Sequence, residues 1–155
     1  MDTVSSPEKI TRLADAMPHI QRCLAAGEYV KIPPKGTSML PMLRQGIDSV
    51  VLAPLPEKLK KYDLPLYQRR DGQYVLHRIV KAGKTYTCVG DNQFQLEKGL
   101  EHDQMIAVVT SFYRGDKCCS VNSFGYWLYC RFWHYSRFPR RCWRWAKRQL
   151  GRLLR

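Results

Sequence analysis

The chain has 155 residues, enough for one domain with a single core and too few for two. Apolar content is ordinary at 45%, which predicts a globular protein, but the net charge of +13 is unevenly placed. Ten basic residues and no Asp or Glu fall within 117–155, which leaves 1–116 nearly balanced at +3.

Ser6, Pro7 and Glu8 read as an N-cap, a first-turn proline and an acidic first turn, and Ile10, Leu13, Ala14 and Met17 follow at helical spacing. Pro18 interrupts, so the pattern predicts two short helices or one kinked helix, stopping at Gly27. The opening "MDTVSSPEK" is polar and acidic and lacks the basic start and apolar run of a targeting peptide. From Tyr29 the period changes. "YVKI", "DSVVLAPL", "LPLYQR", "QYVLHRIV", "TYTCVG" and "QMIAVVTSFYR" are β-branched or aromatic runs separated by Gly, Pro, Asp and Lys clusters, and predict six short strands. The expected fold is therefore mostly β: a helical segment over 1–28, a compact β core over 29–116, and a basic, aromatic tail over 117–155. Pro139 breaks that tail, which reads as two helices appended to the core.

Cys23, Cys88, Cys118, Cys119, Cys130 and Cys142 lack the CxxC spacing of a zinc site, so free thiols in a reducing compartment are expected and no metal or cofactor is predicted. The longest uncharged stretch near the C-terminus, Cys118 to Cys130, is too short and too polar to cross about 30 Å of hydrocarbon.

Ser38 lies in "KGTSMLPML", between a glycine turn and a Met-Leu-Pro run. A serine in such a place is ordinarily a turn residue; it becomes a nucleophile only when a base takes its proton and donors polarise the target carbonyl. Of the four histidines, His19 falls in the helical start, His102 in an acidic loop and His134 in the tail. His77 lies within "YVLHRIV", on the strand face of Val75 and Ile79 by the two-residue period, and alone reads as a core residue. Then comes "CVGDNQFQLE", a strand running into a Gly-Asp-Asn turn and carrying Asp91 and Glu97. Each of these stretches is ordinary by itself. Serine, imidazole and acid in this order are the parts of a nucleophile, base and orienting acid.

"GTSMLPMLRQGIDSVVL", "VLHRIV" and "VGDNQ" resemble the serine, base and Gly-Asp-Asn boxes of type I signal peptidases and their relatives in the LexA-like peptidase superfamily. The resemblance covers roughly Tyr29 to Arg114. It implies a LexA/signal-peptidase-like β core and a serine endopeptidase that cleaves an extended leader, signal or precursor peptide. Members differ in their base, and His77 at the matching strand position implies the histidine, endoplasmic-reticulum-type class. A lysine with a free pKa of about 10.4 must be strongly desolvated to act as a base at neutral pH, whereas histidine near about 6.5 needs little perturbation. Arg78 is then a structural or electrostatic partner. Both Asp91 and Glu97 match acids implicated in this class; Asp91 ranks first, because Glu97 replaces the usual aspartate and adds a methylene. The resemblance assigns the Ser38 backbone N–H to the oxyanion. Gly36 stands where many signal peptidases carry a serine hydroxyl and offers none. Met39 and the strand around Tyr29 to Ile32 match the substrate cleft, and read equally well as core.

Signal peptidases are normally anchored by an N-terminal membrane helix, and none is expected here. In residues 123–155 arginines interleave with ten aromatics, a pattern that predicts an interfacial segment lying on anionic lipid and a cytoplasmic protein peripherally attached to the membrane. Nucleic acid is the rival partner. It ranks lower, since the helical start is too short for a three-helix DNA-binding domain. The alternative function is a LexA-like self-cleaving or non-catalytic regulatory module that binds nucleic acid or a partner through its tail.

Overall fold

The computed structural model describes residues 13–153; the expected cap at Ser6 and the apolar position at Ile10 lie outside them. Helix α1 spans Leu13–Ala25 and buries Met17, Ile20 and Leu24, three positions on one helical face. Pro18 does not divide it. The proline lies on the exposed face, where the carbonyl that it leaves without a helical partner is open to water. The helix closes where the Glu28 N–H reaches the Cys23 carbonyl at 2.9 Å.

Nine strands follow among the described residues: β1 Val30–Ile32, β2 Ser49–Pro54, β3 Pro65–Gln68, β4 Tyr74–Leu76, β5 Arg78–Lys81, β6 Tyr86–Val89, β7 Glu97–Leu100, β8 Met105–Arg114 and β9 Lys117–Ser120. All pairings are antiparallel. The larger sheet runs β1-β2-β8-β3-β4, with β9 also paired to β8, and the smaller runs β5-β6-β7. The ten-residue β8 is the spine of the larger sheet. It pairs with β2 from Ser49↔Tyr113 to Pro54↔Ala107, and its other edge takes β3 and then β9.

The single strand expected over 73–80 is two strands in different sheets, parted at His77. His77 therefore does not continue the face of Val75 and Ile79 within one sheet. Consecutive strand residues point to opposite sides; here both sides of the crossing are covered, so that His77 and Arg78 are both buried. Two further strands escaped the pattern. β7, "EKGL", and β9, "KCCS", carry no alternating β-branched signal and take their conformation from their neighbours in the ladder.

The tail corrects the expected boundaries. β9 belongs to the larger sheet, so residues 117–120 are part of the β core. Helix α2, Phe124–Tyr135, is capped by the Ser123 hydroxyl accepting from the Tyr126 N–H, and it buries Tyr126 and Cys130 in the main core with α1 and the larger sheet. Helix α3, Arg137–Leu153, holds Pro139 in its first turn, where a missing N–H costs no helical bond. Helix and strand occupy about 31% and 30% of the described residues, so the fold is mixed rather than mostly β.

Since α2 is part of the core, Tyr126→Ala should lower the free energy of unfolding by roughly 3 kcal/mol or more, while Phe132→Ala on the exposed side of the same helix should change it by less than about 0.5 kcal/mol. Urea melts of the two variants check this; equal, small effects would mean that α2 is only appended.

Candidate active site

Between β1 and β2 the chain turns through Gly36, whose φ of +81° is left-handed and suits a residue without a Cβ. Its N–H donates to Gln45 Oε1 at 2.7 Å, which pins the turn. Gly36 is thus the residue type that this backbone requires. Ser38 follows, half-buried, in a compact turn closed by Leu40 N–H to Thr37 O at 3.2 Å and Leu43 N–H to Met39 O at 3.0 Å. Among the described residues the Ser38 N–H donates to no other group, so it is available to an oxyanion.

The Gly90-Asp91-Asn92 turn closes on this segment. The Asn92 N–H donates to Ser38 O at 2.8 Å, and Asn92 Nδ2 donates to Thr37 O at 3.1 Å. Gly90 permits the approach: a Cβ there would stand 2.6 Å from Ser38 O and 3.1 Å from both Ser38 Cβ and His77 Nε2. The two side chains are thus brought to one point, their named atoms no more than twice that distance apart.

His77 is 2% exposed and arrives from the seam between the sheets. Its Nδ1 lies 3.1 Å from Glu97 Oε1 at the start of β7 and 3.3 Å from the Tyr67 hydroxyl. With Nδ1–H donated to the carboxylate, the lone pair of Nε2 is left on the Ser38 side. Glu97 is itself gripped by Arg69, whose Nε donates to Oε2 at 2.9 Å and whose Nη2 donates to Oε1. Burial pushes the Glu97 carboxyl up, but hydrogen bonds from Arg69 and Tyr67 and the charges of His77 and Arg69 outweigh it and hold it below the usual carboxylate range. Burial lowers the His77 pKa, an effect that the Glu97 charge only partly offsets, so the imidazole is neutral at neutral pH. Its folded-state pKa is depressed, so its contribution to stability is whole above the unfolded value of about 6.5 and is lost as pH falls below it. Burial, followed by the nearby Cys88 and Glu97, pushes Tyr67 up and keeps it a donor. Burial pushes Cys88 to about 12, which makes it an inert thiol.

Asp91, ranked first among the acids from the sequence, has a different neighbour. Its carboxylate takes Arg78 Nε and Nη2, each at 2.8 Å, and the Tyr129 hydroxyl at 2.9 Å. The two acids are divided between neighbouring residues: Arg78, the first residue of β5, meets Asp91, and His77, between β4 and β5, meets Glu97. Arg78 also donates to Tyr126 Oη at 2.7 Å, Cys130 Sγ at 2.9 Å and Met42 Sδ at 2.9 Å. The sequence reading missed Tyr67, Arg69 and Asn92 as supports. It took Tyr126, Tyr129 and Trp133 as outward anchors, although with Cys130 they recur at the i, i+3, i+4, i+7 spacing of one helix face.

A cavity of about 100 Å³ opens beside Ser38. Its lining includes Ile32, Pro33 and Pro34, Tyr74 and Leu76, Met39, and the α1 residues Ala16 and Ile20. Met39 is therefore both core and cavity wall. β1 and β4, the two ends of the larger sheet, border this cavity, and among the described residues no further strand pairs with either. The chain matches no protein-family model, no curated protein and no solved structure.

The two carboxylates should separate by variant. Asp91→Asn leaves Arg78 buried without its counter-charge and should destabilise the fold by about 3 kcal/mol or more. Glu97→Gln should cost less in a urea melt but should shift the His77 titration, followed by NMR, to lower pH, because the negative charge that opposes its depression is gone.

Proposed function

We propose that the chain is a serine endopeptidase of signal-peptidase type, acting on an extended leader, signal or precursor peptide. The observation that carries this reading is the convergence of Ser38 and His77 Nε2 on Gly90, with Glu97 on the opposite imidazole nitrogen. The peptide lies along the edge of β1 or β4 as an added strand, with one apolar side chain in the cavity. Ser38 Oγ attacks the scissile carbonyl carbon as its proton passes to His77 Nε2. The new oxyanion is held by the Ser38 N–H, while Glu97 supports the imidazolium. Collapse breaks the C–N bond, and Nε2 gives its proton to the leaving amine. Water, deprotonated by Nε2, then hydrolyses the acyl ester and restores Ser38.

Ser38→Ala and His77→Ala should each abolish cleavage of the precursor while leaving the fold intact, and the double variant should be hardly worse, because the residues act as a unit. The acid limb of the pH–rate profile should have its midpoint below about 6.5, as the depressed His77 pKa requires. Robust turnover by folded Ser38→Ala protein, or a limb well above neutrality, would contradict the assignment.

The outer side of α2 and α3 supports peripheral attachment to an anionic lipid surface on the cytoplasmic face. No helix among the described residues is long and apolar enough to cross a membrane. α3 is divided lengthwise. Phe138, Trp143, Trp145 and Leu150 occupy one half at 60–75% exposure, and Arg140, Arg141, Arg144, Lys147 and Arg148 occupy the other. Exposed Phe124, Leu128, Phe132 and Tyr135 on α2 enlarge the apolar surface. Since α2 is built into the core, the test uses point variants of α3. The triple variant Phe138→Ser, Trp143→Ser, Trp145→Ser should no longer sediment with vesicles containing phosphatidylglycerol, and wild-type binding should weaken with salt, since about 1 kcal/mol per basic residue is screened. Tight binding of single-stranded or duplex DNA at physiological ionic strength, without vesicle binding, would overturn the lipid reading.

A further inference from the structure

The two C-terminal helices converge on the turn that holds the nucleophile. Tyr129 donates to the Asp91 carboxylate. Trp133 Nε1 donates to the Asp91 carbonyl at 2.7 Å, and Arg140 Nη1 reaches the same oxygen at 3.3 Å. Arg144 goes one residue further: Nη1 donates to Asn92 O at 3.3 Å and Nη2 to Asn92 Oδ1. That second bond carries the inference. A carboxamide has one acceptor end and one donor end. With Arg144 on Oδ1, Nδ2 is turned toward Thr37 O, 3.1 Å away, while the Asn92 N–H holds Ser38 O. A guanidinium 52 residues from the turn in sequence thus sets the orientation of the side chain that clips the nucleophile segment. There is no slack in this contact, since even a Cβ on Gly90 would collide with Ser38 O.

We propose that Arg144 is a positioning residue for Ser38, which makes α3 part of the machinery of the site as well as its outer surface. This rests on the reading of Ser38 as the nucleophile. Arg144 is itself exposed, so its removal costs the fold little. It acts through Asn92 on placement, to which rate is sensitive: an error of about 1 Å costs on the order of a hundredfold.

The test compares the full-length wild type with Arg144→Ala and Arg144→Lys. One measurement follows phosphonylation of Ser38 by a small fluorophosphonate, located by mass spectrometry; a second follows hydrogen exchange at the Asn92 amide. Arg144→Ala should slow labelling by roughly ten- to a hundredfold. The loss should fall on the limiting rate constant and not on the half-saturating probe concentration, with the pH midpoint and the urea midpoint unmoved. Asn92 exchange should accelerate at least about tenfold as its bond to Ser38 loosens. Arg144→Lys, which keeps one charged donor, should recover part of the rate. Unchanged exchange at Asn92 overturns the proposal, as does faster exchange without slower labelling, or a loss that tracks a lowered urea midpoint. If the wild type takes no label at Ser38, the peptidase reading fails instead, and the exchange measurement still decides whether Arg144 holds the turn.

Discussion

Arg78 and Asp91 are 2% and 1% exposed and face each other through two parallel hydrogen bonds. Taking two such charges out of water costs several kcal/mol per ion, and the penalty is offset only where geometry is good and the remaining polar atoms are satisfied. Here the surroundings are built to meet that condition. Tyr126, Cys130 and Met42 accept from the guanidinium, and Tyr129 donates to the carboxylate. These partners come from three pieces of chain: the segment after Ser38, the Gly-Asp-Asn turn, and α2, which supplies Tyr126, Tyr129 and Cys130. The demand of one buried pair for partners thereby ties together the elements that carry the candidate nucleophile, its clip and its base.

That arrangement separates the two acids that the sequence left in competition. A carboxylate committed to Arg78 is a keystone, whereas Glu97, 20% exposed on its side chain and shared between Arg69 and His77, can respond to the charge of the imidazole. Resemblance alone favoured Asp91, because Glu97 replaces the usual aspartate and adds a methylene. The geometry follows instead from the break at residue 77, where the chain leaves β4 of one sheet for β5 of the other, and no local pattern in the sequence marks that break.

Much of the rest was legible. The order of serine, histidine and acid, the helix ending near Gly27, the alternating runs of β2 and β8 and the helical break before Pro139 all express local chemistry: turn residues, apolar period and proline geometry. What could not be read depends on long-range neighbours. "EKGL" and "KCCS" are strands only because β6 and β8 offer them edges. Arg69 meets Glu97 across 28 residues through a fold that no window on the sequence contains. The aromatic tail misled for a related reason. Composition reports that α2 is rich in rings but not which rings face inward, and the stripe Tyr126, Tyr129, Cys130 and Trp133 serves the core while Phe124, Leu128 and Phe132 face out.

The place of His77 at the crossing between sheets has a thermal consequence. Ser38 belongs to a turn rooted in the larger sheet, Glu97 to a strand of the smaller one, and the imidazole stands where the chain passes from one to the other. Sheets loosen against each other at a lower cost in free energy than either ladder needs to come apart. A slight gliding along this seam would part the three side chains while every strand kept its own partners. For a peptidase of the proposed kind, activity would then be lost on warming in a chain whose secondary structure is intact, and would return on cooling without any refolding.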